Sequence, residues 1–445
     1  MAGLFGTDGI RGVANTELTP EFTVGLGRAV VRTLREEGHA RPHIVVGRDP
    51  RASGEMLEAA LVAGITSAGG DVTDVGVLPT PAVAFLTVEL GAQSGAMISA
   101  SHNPVADNGI KFFGPDGYKL TDAEEERVEE LLQRLDEDRP TGIAIGRLRQ
   151  RPELRDRYVE HLAATVNGSL RGLRVVVDCA NGSAAPVSGP LLRGLGCDVV
   201  TINCEPDGTN INDGCGSTYP DVVARAVVEH GADVGLAHDG DADRLIAADH
   251  TGAVVDGDTI LAILAEQQQA QRGLRSVVTT VMTNMGFKQA MGRLGIDVVE
   301  TKVGDRYVLE AMRAGNHPIG GEQSGHVIML DHSTTGDGVL TAVQLLATVA
   351  TAGKSLAELA TVMRRLPQVL VNVRGVEREA LDGADGLWKA VAAEEQELDG
   401  AGRVLVRASG TEPLVRVMVE ADTEQRATQI AERLAEVVRS ELPPA

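Results

Sequence analysis

HIVVGRDPRASGEMLEAALVAGITSAGGDVTDVGVLP, residues 43–79, carries the reading that decides the fold class. A strand-like apolar run ends in Arg-Asp, a helix-like run occupies residues 53–69, and a second strand-like run, DVTDVGVLP, closes the stretch. Strand, helix and strand in that order make a βα unit, and the later run SGAMISA extends the rhythm. Further on, T-D-A-E at Thr121 reads as a capping box opening a helix with Val128, Leu131, Leu132 and Leu135 on one face.

The alternation recurs along the chain. The charged stretch DEDRPTGIAIGRLRQRPELRD holds two prolines and puts a boundary near residue 152. A second unit follows as strand LRVVVDC, a helix, strand DVVTINC, helix PDVVARAVVEHGA and strand DVGLAHD. The third has SVVTTVMTN, a helix from Gly286, DVVETKVGD, a helix and a strand into GGEQSGHVIML. From Pro367 a smaller unit reads as strand QVLVNVRG, a helix around Trp388, two strands in RVLVRASGTEPLVRVMVEA and a terminal helix. The expected domains are 1–152, 153–252, 253–366 and 367–445. The three larger ones look alike in plan, although no sequence repeat of about 20–50 residues is visible.

At 445 residues the chain is too long for one core. Its 43% hydrophobic content, 2% aromatics and 52 glycines fit an α/β protein with cores of Val, Leu, Ile and Ala. The net charge of −22 opposes binding to nucleic acid or an anionic membrane, so neither is an expected partner. No run approaches ~18 consecutive apolar residues and no signal-peptide pattern opens the chain, so a soluble, cytoplasmic protein is expected. Cys179, Cys197, Cys204 and Cys215 have no zinc-site spacing and read as reduced, mostly buried thiols.

Chemistry concentrates in a few loops. MISASHNPVADNGIKFF, residues 97–113, sets Ser99, Ser101, His102 and Lys111 close together, although S-H-N-P alone is also an ordinary turn. HDGDADR places Asp239, Asp241 and Asp243 on alternate positions, which in an extended segment share one side. Each pair of carboxylates at about 4 Å repels by roughly 4 kcal/mol at an effective dielectric near 20. A hard divalent cation relieves this, and all-oxygen ligation points to Mg²⁺. The alternative is an acidic solvated turn; an EF-hand is excluded because no glutamate holds the twelfth loop position. RASGTEPLVR combines Arg407, Ser409, Gly410, Thr411 and Arg416, suited to a tetrahedral dianion. KVGDRY and GGEQSGH offer Asp305, Glu322, Ser324 and His326 to sugar hydroxyls. GTDGIRG presents Arg11 on a glycine-rich loop, and GLGRAV at Gly25 lacks the third glycine of a dinucleotide fingerprint.

In this order GTDGIRG, ISASHNP, DGDADR, GEQSGH and RASGTEP resemble the α-D-phosphohexomutase superfamily across the whole chain. FGTDGIRG, DNGIKFF, DGTNINDGCGS, KVGDRYVLE and TTGDG are similar to its bacterial phosphoglucosamine mutase branch rather than to the phosphomannomutase/phosphoglucomutase branch. The resemblance implies three similar mixed α/β domains plus a smaller C-terminal α+β domain around a central cleft. It names them, in order, as the phosphoserine, metal-binding, sugar-binding and phosphate-binding domains.

The same resemblance implies an isomerase that interconverts glucosamine 6-phosphate and glucosamine 1-phosphate, a step toward UDP-N-acetylglucosamine and cell-wall precursors. Ser101, rather than Ser99, is the implied phosphoserine, and glucosamine 1,6-bisphosphate is the implied intermediate and activator. Arg11, His102 and Lys111 join it as catalytic residues, with Lys111 or His102 shuttling a proton. Ser101, Asp239, Asp241 and Asp243 would hold one Mg²⁺ per chain. Arg244, Lys302, Gly304, Asp305, Glu322, Ser324 and His326 are implied in substrate binding, and Arg407, Ser409, Gly410, Thr411 and Arg416 in phosphate binding. A small sugar phosphate is the expected partner, and a homodimer is one candidate assembly. Ala242 stands where the family often has Gly, a change read as neutral. Rival readings are a mutase of glucose or mannose phosphates, a metal-dependent phosphatase, and a catalytically silent sugar-phosphate sensor.

Overall fold

The computed structural model describes residues 4–6, 8–133, 139–166, 168–409 and 413–444. They divide into two compact units, one formed by Met1–Met282 with Ile296–Val362 and the other by Thr283–Gly295 with Met363–Ala445.

The first unit holds three mixed sheets. In sheet one the strands are β1 (Ile10–Val13), β2 (His43–Arg48), β3 (Asp71–Val77), β4 (Ser94–Ile98), β5 (Asp107–Phe113) and β6 (Leu148–Gln150), ordered β1-β5-β4-β2-β3-β6. Sheet two has β7 (Arg174–Asp178), β8 (Asp198–Ile202), β9 (Val234–His238), β10 (Leu245–Asp249) and β11 (Val254–Val255), ordered β11-β10-β9-β7-β8. Sheet three has β12 (Ser276–Thr280), β13 (Asp297–Thr301), β14 (Ile319–Gly321) and β15 (Val327–Met329), ordered β13-β12-β14-β15.

One plan underlies all three. Three parallel strands, β4-β2-β3, β9-β7-β8 and β14-β12-β13, are each extended by one antiparallel strand, β5, β10 or β15. That strand follows its parallel neighbour through a hairpin loop: residues 99–106, 239–244 and 322–326. The loops leave the carboxyl ends of parallel strands, where open α/β sheets commonly bind ligands. The strand expected to run into GGEQSGHVIML is thus two short strands around a turn.

Other differences from the sequence reading are local. The stretch read as a linker before residue 152 contains β6, whose three residues are exposed and pair with the sheet edge at β3. Helices Gly257–Arg272 and Gly338–Ala352, which the sequence reading does not assign, flank sheet three in the chain. Thr121 does cap helix Asp122–Leu132 with a full capping box, and Val128 and Leu131 are buried; Leu135 lies outside the described residues.

In the second unit, β16 (Gln368–Arg374), β17 (Arg403–Ala408) and β18 (Leu414–Glu420) form an antiparallel sheet, ordered β16-β18-β17. Val373, Val415, Val417 and Val419 pack with Leu387, Ile430, Leu434 and Val438 from helices Asp385–Leu398 and Glu424–Glu441. Among the described residues no helix is long and apolar enough to cross a membrane.

Close backbone contact tightens the first core. Helices Pro20–Glu36 and Ala52–Ser67 meet at Gly64, where a Cβ would lie 2.3 Å from the Val24 carbonyl oxygen. Gly64→Ala should therefore lower stability by about 1–3 kcal/mol through overpacking. A urea midpoint equal to that of the parent protein would refute the close-packing account.

Candidate active site

The serine loop is built from beneath by a buried ion pair. Asp49 and Arg51, at the carboxyl end of β2, are both fully buried with Arg51 Nε 2.9 Å from Asp49 Oδ2. The Arg51 guanidinium donates to the carbonyl oxygens of Ser101 (2.9 Å), Asn103 (2.8 Å) and Asp107 (3.1 Å). Ser99 Oγ donates to Asp49 Oδ2 at 2.7 Å and accepts the Ser101 N–H at 2.9 Å, so its hydroxyl is committed to the scaffold. Ser101 sits in the left-handed region at φ 51°, a conformation that costs a non-glycine residue energy and persists only when its surroundings impose it. Its hydroxyl donates to Asp239 Oδ2 at 2.6 Å and lies 3.3 Å from His102 Nδ1.

The aspartate loop meets the serine loop face on. A Cβ on Gly240 would fall 2.5 Å from the Ser101 carbonyl oxygen, which explains a glycine between two of the aspartates. Asp239, Asp241 and Asp243 are buried and offer oxygens that all lie within 4.8 Å of one another. Burial and mutual repulsion push Asp239 well above the usual carboxylate range and raise Asp243. Burial also pushes Asp241 up, but Lys111 and the Thr80 hydroxyl, 2.6 Å away, outweigh it and hold Asp241 ionised. Asp241 Oδ1 and Asp243 Oδ1 accept no hydrogen bond from any described residue. Buried, crowded, all-oxygen and partly unsatisfied, this donor set fits a hard divalent cation. Ala242 is buried at φ 56°, so the position read as neutral is one where glycine avoids a left-handed strain that alanine accepts.

Cations thread between the loops. Lys111, on β5 and only 1% exposed, places Nζ 3.0 Å from Asp8 Oδ2, 3.0 Å from Asp241 Oδ2 and 3.8 Å from Asp243 Oδ2. Burial alone would lower its pKa, but Asp241, Asp8 and Asp243 together raise it and keep it charged. Lys119 bridges Asp8 and Asp305. Arg11 pairs with Asp8 and reaches Asn103 Oδ1 at 3.3 Å. The Arg244 backbone N–H donates to Asp239 Oδ1 at 3.3 Å, and its guanidinium lies 3.7 Å from Asp243. Burial, Arg244 and Arg11 lower His102 to about 4, so its ring is neutral at pH 7.

From sheet three, His326 Nε2 lies 3.6 Å from Asp305 and 3.8 Å from Asp243. Glu322 accepts the Gly304 N–H at 3.1 Å, joining the KVGDRY and GGEQSGH loops. Lys302 and Ser324 are exposed on these loops. In the second unit, considered by itself, Arg407 and Arg416 are direct cross-strand partners. Burial and the neighbouring Arg416 charge lower the Arg407 pKa. Arg407, Ser409, Arg378 and Trp388 line a cavity of about 470 Å³. Gly410 and Thr411 lie outside the described residues.

Sequence reasoning named Ser101, Lys111 and the aspartates but missed Asp8, Asp49, Arg51, Thr80, Lys119, Asn212 and Arg378. Asn212 Nδ2 donates to the Ser101 carbonyl oxygen at 2.9 Å. For Asp49 and Arg51 a usable signal lay in residues 43–79: a charged pair just after a strand of a βα unit.

Four domain descriptions match in order. They are phosphoglucomutase/phosphomannomutase alpha/beta/alpha domain I over residues 2–139, domain II over 156–252, domain III over 256–366 and the C-terminal domain over 370–437. The chain belongs to the phosphoglucomutase/phosphomannomutase family. Within the phosphoglucomutase/phosphomannomutase family it is similar to the phosphoglucosamine mutase of Streptomyces avermitilis, 57% identical over 99% of this chain and 100% of that one. The enzyme of the same name from Acidothermus cellulolyticus is 58% identical over 99% of this chain and 96% of that one. A solved phosphoglucomutase/phosphomannomutase family protein of Burkholderia thailandensis is 26% identical, covers 100% of both chains and superposes with a TM-score of 0.84. Like its family, the chain is an isomerase that moves phosphoryl groups.

Lys111→Met removes the ammonium from between buried carboxylates and leaves them uncompensated. The expected loss is about 3–5 kcal/mol, read as a lower urea midpoint. An unchanged midpoint would show that the carboxylates do not depend on this cation.

Proposed function

We propose that the chain interconverts glucosamine 6-phosphate and glucosamine 1-phosphate through a phosphoserine at Ser101. The carrying observation is the Ser101 hydroxyl, held in a strained turn 2.6 Å from Asp239 and facing three buried aspartates. The phosphoglucosamine mutases that resemble the chain along its length support the choice of sugar.

Ser101 hands its phosphoryl group to the free hydroxyl of the sugar monophosphate, giving a 1,6-bisphosphate, and takes back the other phosphoryl group after the sugar turns over. Asp239, Asp241 and Asp243 would hold one Mg²⁺, which when bound supplies positive charge against the phosphoserine oxygens. Phosphoryl transfer needs in-line positioning and charge neutralisation, and the loops divide these tasks. Lys111, kept protonated by Asp241 and Asp8, stabilises negative charge as it develops. His102, neutral and 3.3 Å from the Ser101 hydroxyl, is the better placed of the two to accept a proton. Arg11 and Arg244 add charge at the same loops. Glu322, Ser324 and His326 read sugar hydroxyls, with Lys302, Gly304 and Asp305 beside them. The phosphate that stays on the sugar falls to Arg407, Ser409 and Arg416. A charged phosphosugar substrate implies work in the cytoplasm.

Ser101→Ala should abolish turnover while leaving the melting temperature near that of the parent, and the parent should carry one phosphate on the peptide bearing Ser101. Retention of more than about 1% of kcat would sink the covalent reading. Among sugars, kcat/KM for glucosamine 6-phosphate should exceed that for the glucose and mannose phosphates by about tenfold or more. Equal values would favour a general hexose-phosphate mutase.

Arg407→Ala removes a charge-assisted contact of about 1.5–3 kcal/mol, a loss of roughly ten- to a hundredfold in kcat/KM. Phosphorylation of Ser101 should persist, and free glucosamine 1,6-bisphosphate should escape more often during single turnover. Parental kinetics would reduce RASGTEPLVR to a connecting turn.

A further inference from the structure

We propose that Cys179 and Cys204 form a peroxide-sensitive thiol pair whose reversible disulfide joins the ends of β7 and β8 and lowers turnover. The inference concerns regulation, and its thiol chemistry does not depend on which sugar the enzyme takes.

Chain geometry brings the pair together. β7 and β8 are parallel neighbours with Asp178 opposite Ile202, so the two cysteines lie just beyond their carboxyl ends. The Cys179 N–H donates to the Ile202 carbonyl at 3.2 Å and the Asn181 N–H to the Asn203 carbonyl at 2.7 Å. Asn203, at φ 46°, then turns the chain, and Cys204 Sγ comes to 3.7 Å from the Ala185 carbonyl, over the turn that Cys179 begins. The strands run about 4.8 Å apart and Cys204 lies one position past the residue that faces Cys179, an offset the turn at Asn203 must take up for a disulfide, which spans roughly 4.4–6.8 Å between Cα atoms. The two thiols lie close enough to shift each other's ionisation.

That contact makes the pair unequal. The neighbouring Cys179 thiol pulls Cys204 down to about 7 against the effect of burial, with Arg193 adding to the pull. The neighbouring Cys204, and then burial, push Cys179 well up. Cys204 is half-exposed, whereas Cys197 and Cys215 are buried and pushed up by burial to about 11 and about 12. Low pKa, access and an adjacent second thiol together mark a cysteine that oxidises and is then resolved. The Cys204 thiolate attacks peroxide: an S–O bond forms, the O–O bond breaks and hydroxide leaves, leaving a sulfenic acid. The Cys179 sulfur then attacks Cys204, forming the S–S bond and breaking the S–O bond, while water leaves with the Cys179 proton. A dithiol restores both thiols by exchange and is itself oxidised to the disulfide.

The disulfide would be felt at the serine. Ala180, Asn181 and Asn212 all occupy the left-handed region, and the Ala180 carbonyl accepts the Asn212 N–H at 2.9 Å. Asn212 in turn holds the Ser101 carbonyl, and the Ser183 N–H donates to the Gly240 carbonyl at 2.8 Å. Drawing the sulfurs to about 2.05 Å pulls on a turn that braces both the serine and the aspartate loops.

The full chain is treated with hydrogen peroxide, then mapped by intact and peptide mass and assayed before and after dithiothreitol. Expected are a loss of about 2 Da, a Cys179–Cys204 cross-linked peptide, and a fall in turnover of about fivefold or more that dithiothreitol reverses. Cys204→Ser should keep basal turnover and lose the response, whereas Cys215→Ser should respond like the parent. A cross-link elsewhere, over-oxidised Cys204 without a cross-link, or equal peroxide loss in Cys204→Ser overturns the proposal. So does a cross-link that leaves turnover unchanged. The mass readout stands even if the sugar assignment fails, so the two failures are distinguishable.

Discussion

The Lys111 ammonium, buried on β5 with Nζ 3.0 Å from both Asp8 and Asp241, lets carboxylates from separate parts of the chain share one dry space. Without it the aspartate loop would bring like charges against Asp8 at close range, a cost of several kcal/mol per pair at protein dielectrics. Lys119 repeats the device between Asp8 and Asp305, so sheet one supplies the cations and sheets two and three supply most of the anions they join. Paired charge therefore links the loops of the three sheets at the site.

Equivalent topology explains why this convergence is economical. Each sheet turns its last parallel strand back through a hairpin, and each hairpin loop received a different chemistry: a hydroxyl, three carboxylates, and a glutamate with a histidine. Fold alone fixes only that loops emerge at the carboxyl ends; the side chains on them decide what is done. Buried polar groups are otherwise costly, and here the charged ones pair across loops, so each loop's shape depends on its neighbour's charges, while Asp241 Oδ1 and Asp243 Oδ1 keep oxygens to spare.

How much of this was legible in the sequence follows from range. The βα rhythm around residues 43–79 is local, and it located the sheets; so is the capping box at Thr121. Asp239, Asp241 and Asp243 could be grouped because they lie within one turn of chain. Lys119 and Asp305 could not, since their pairing spans 186 positions: Asp305 was read for sugar hydroxyls, and nothing near Lys119 points to it. β6 was hidden for the opposite reason: an exposed edge strand needs no apolar pattern, so it reads as charged linker. The left-handed backbone of Ala242 was not legible because backbone sign is invisible in a residue name, and its φ of 56° emerges only when the loop is closed.

Helix Met285–Leu294 belongs to the second compact unit although its sequence interrupts sheet three. Asn284 hydrogen-bonds Leu366 and Glu420, and the Met285 N–H donates to Glu420 at 2.8 Å. On the ribosome this helix emerges long before Glu420, some 135 positions later, exists. At about 5–20 residues per second the wait is on the order of ten seconds, during which the Met285 N–H and the Asn284 amide have no Glu420 to bond. The order of synthesis thus sets when the start of this helix can be capped.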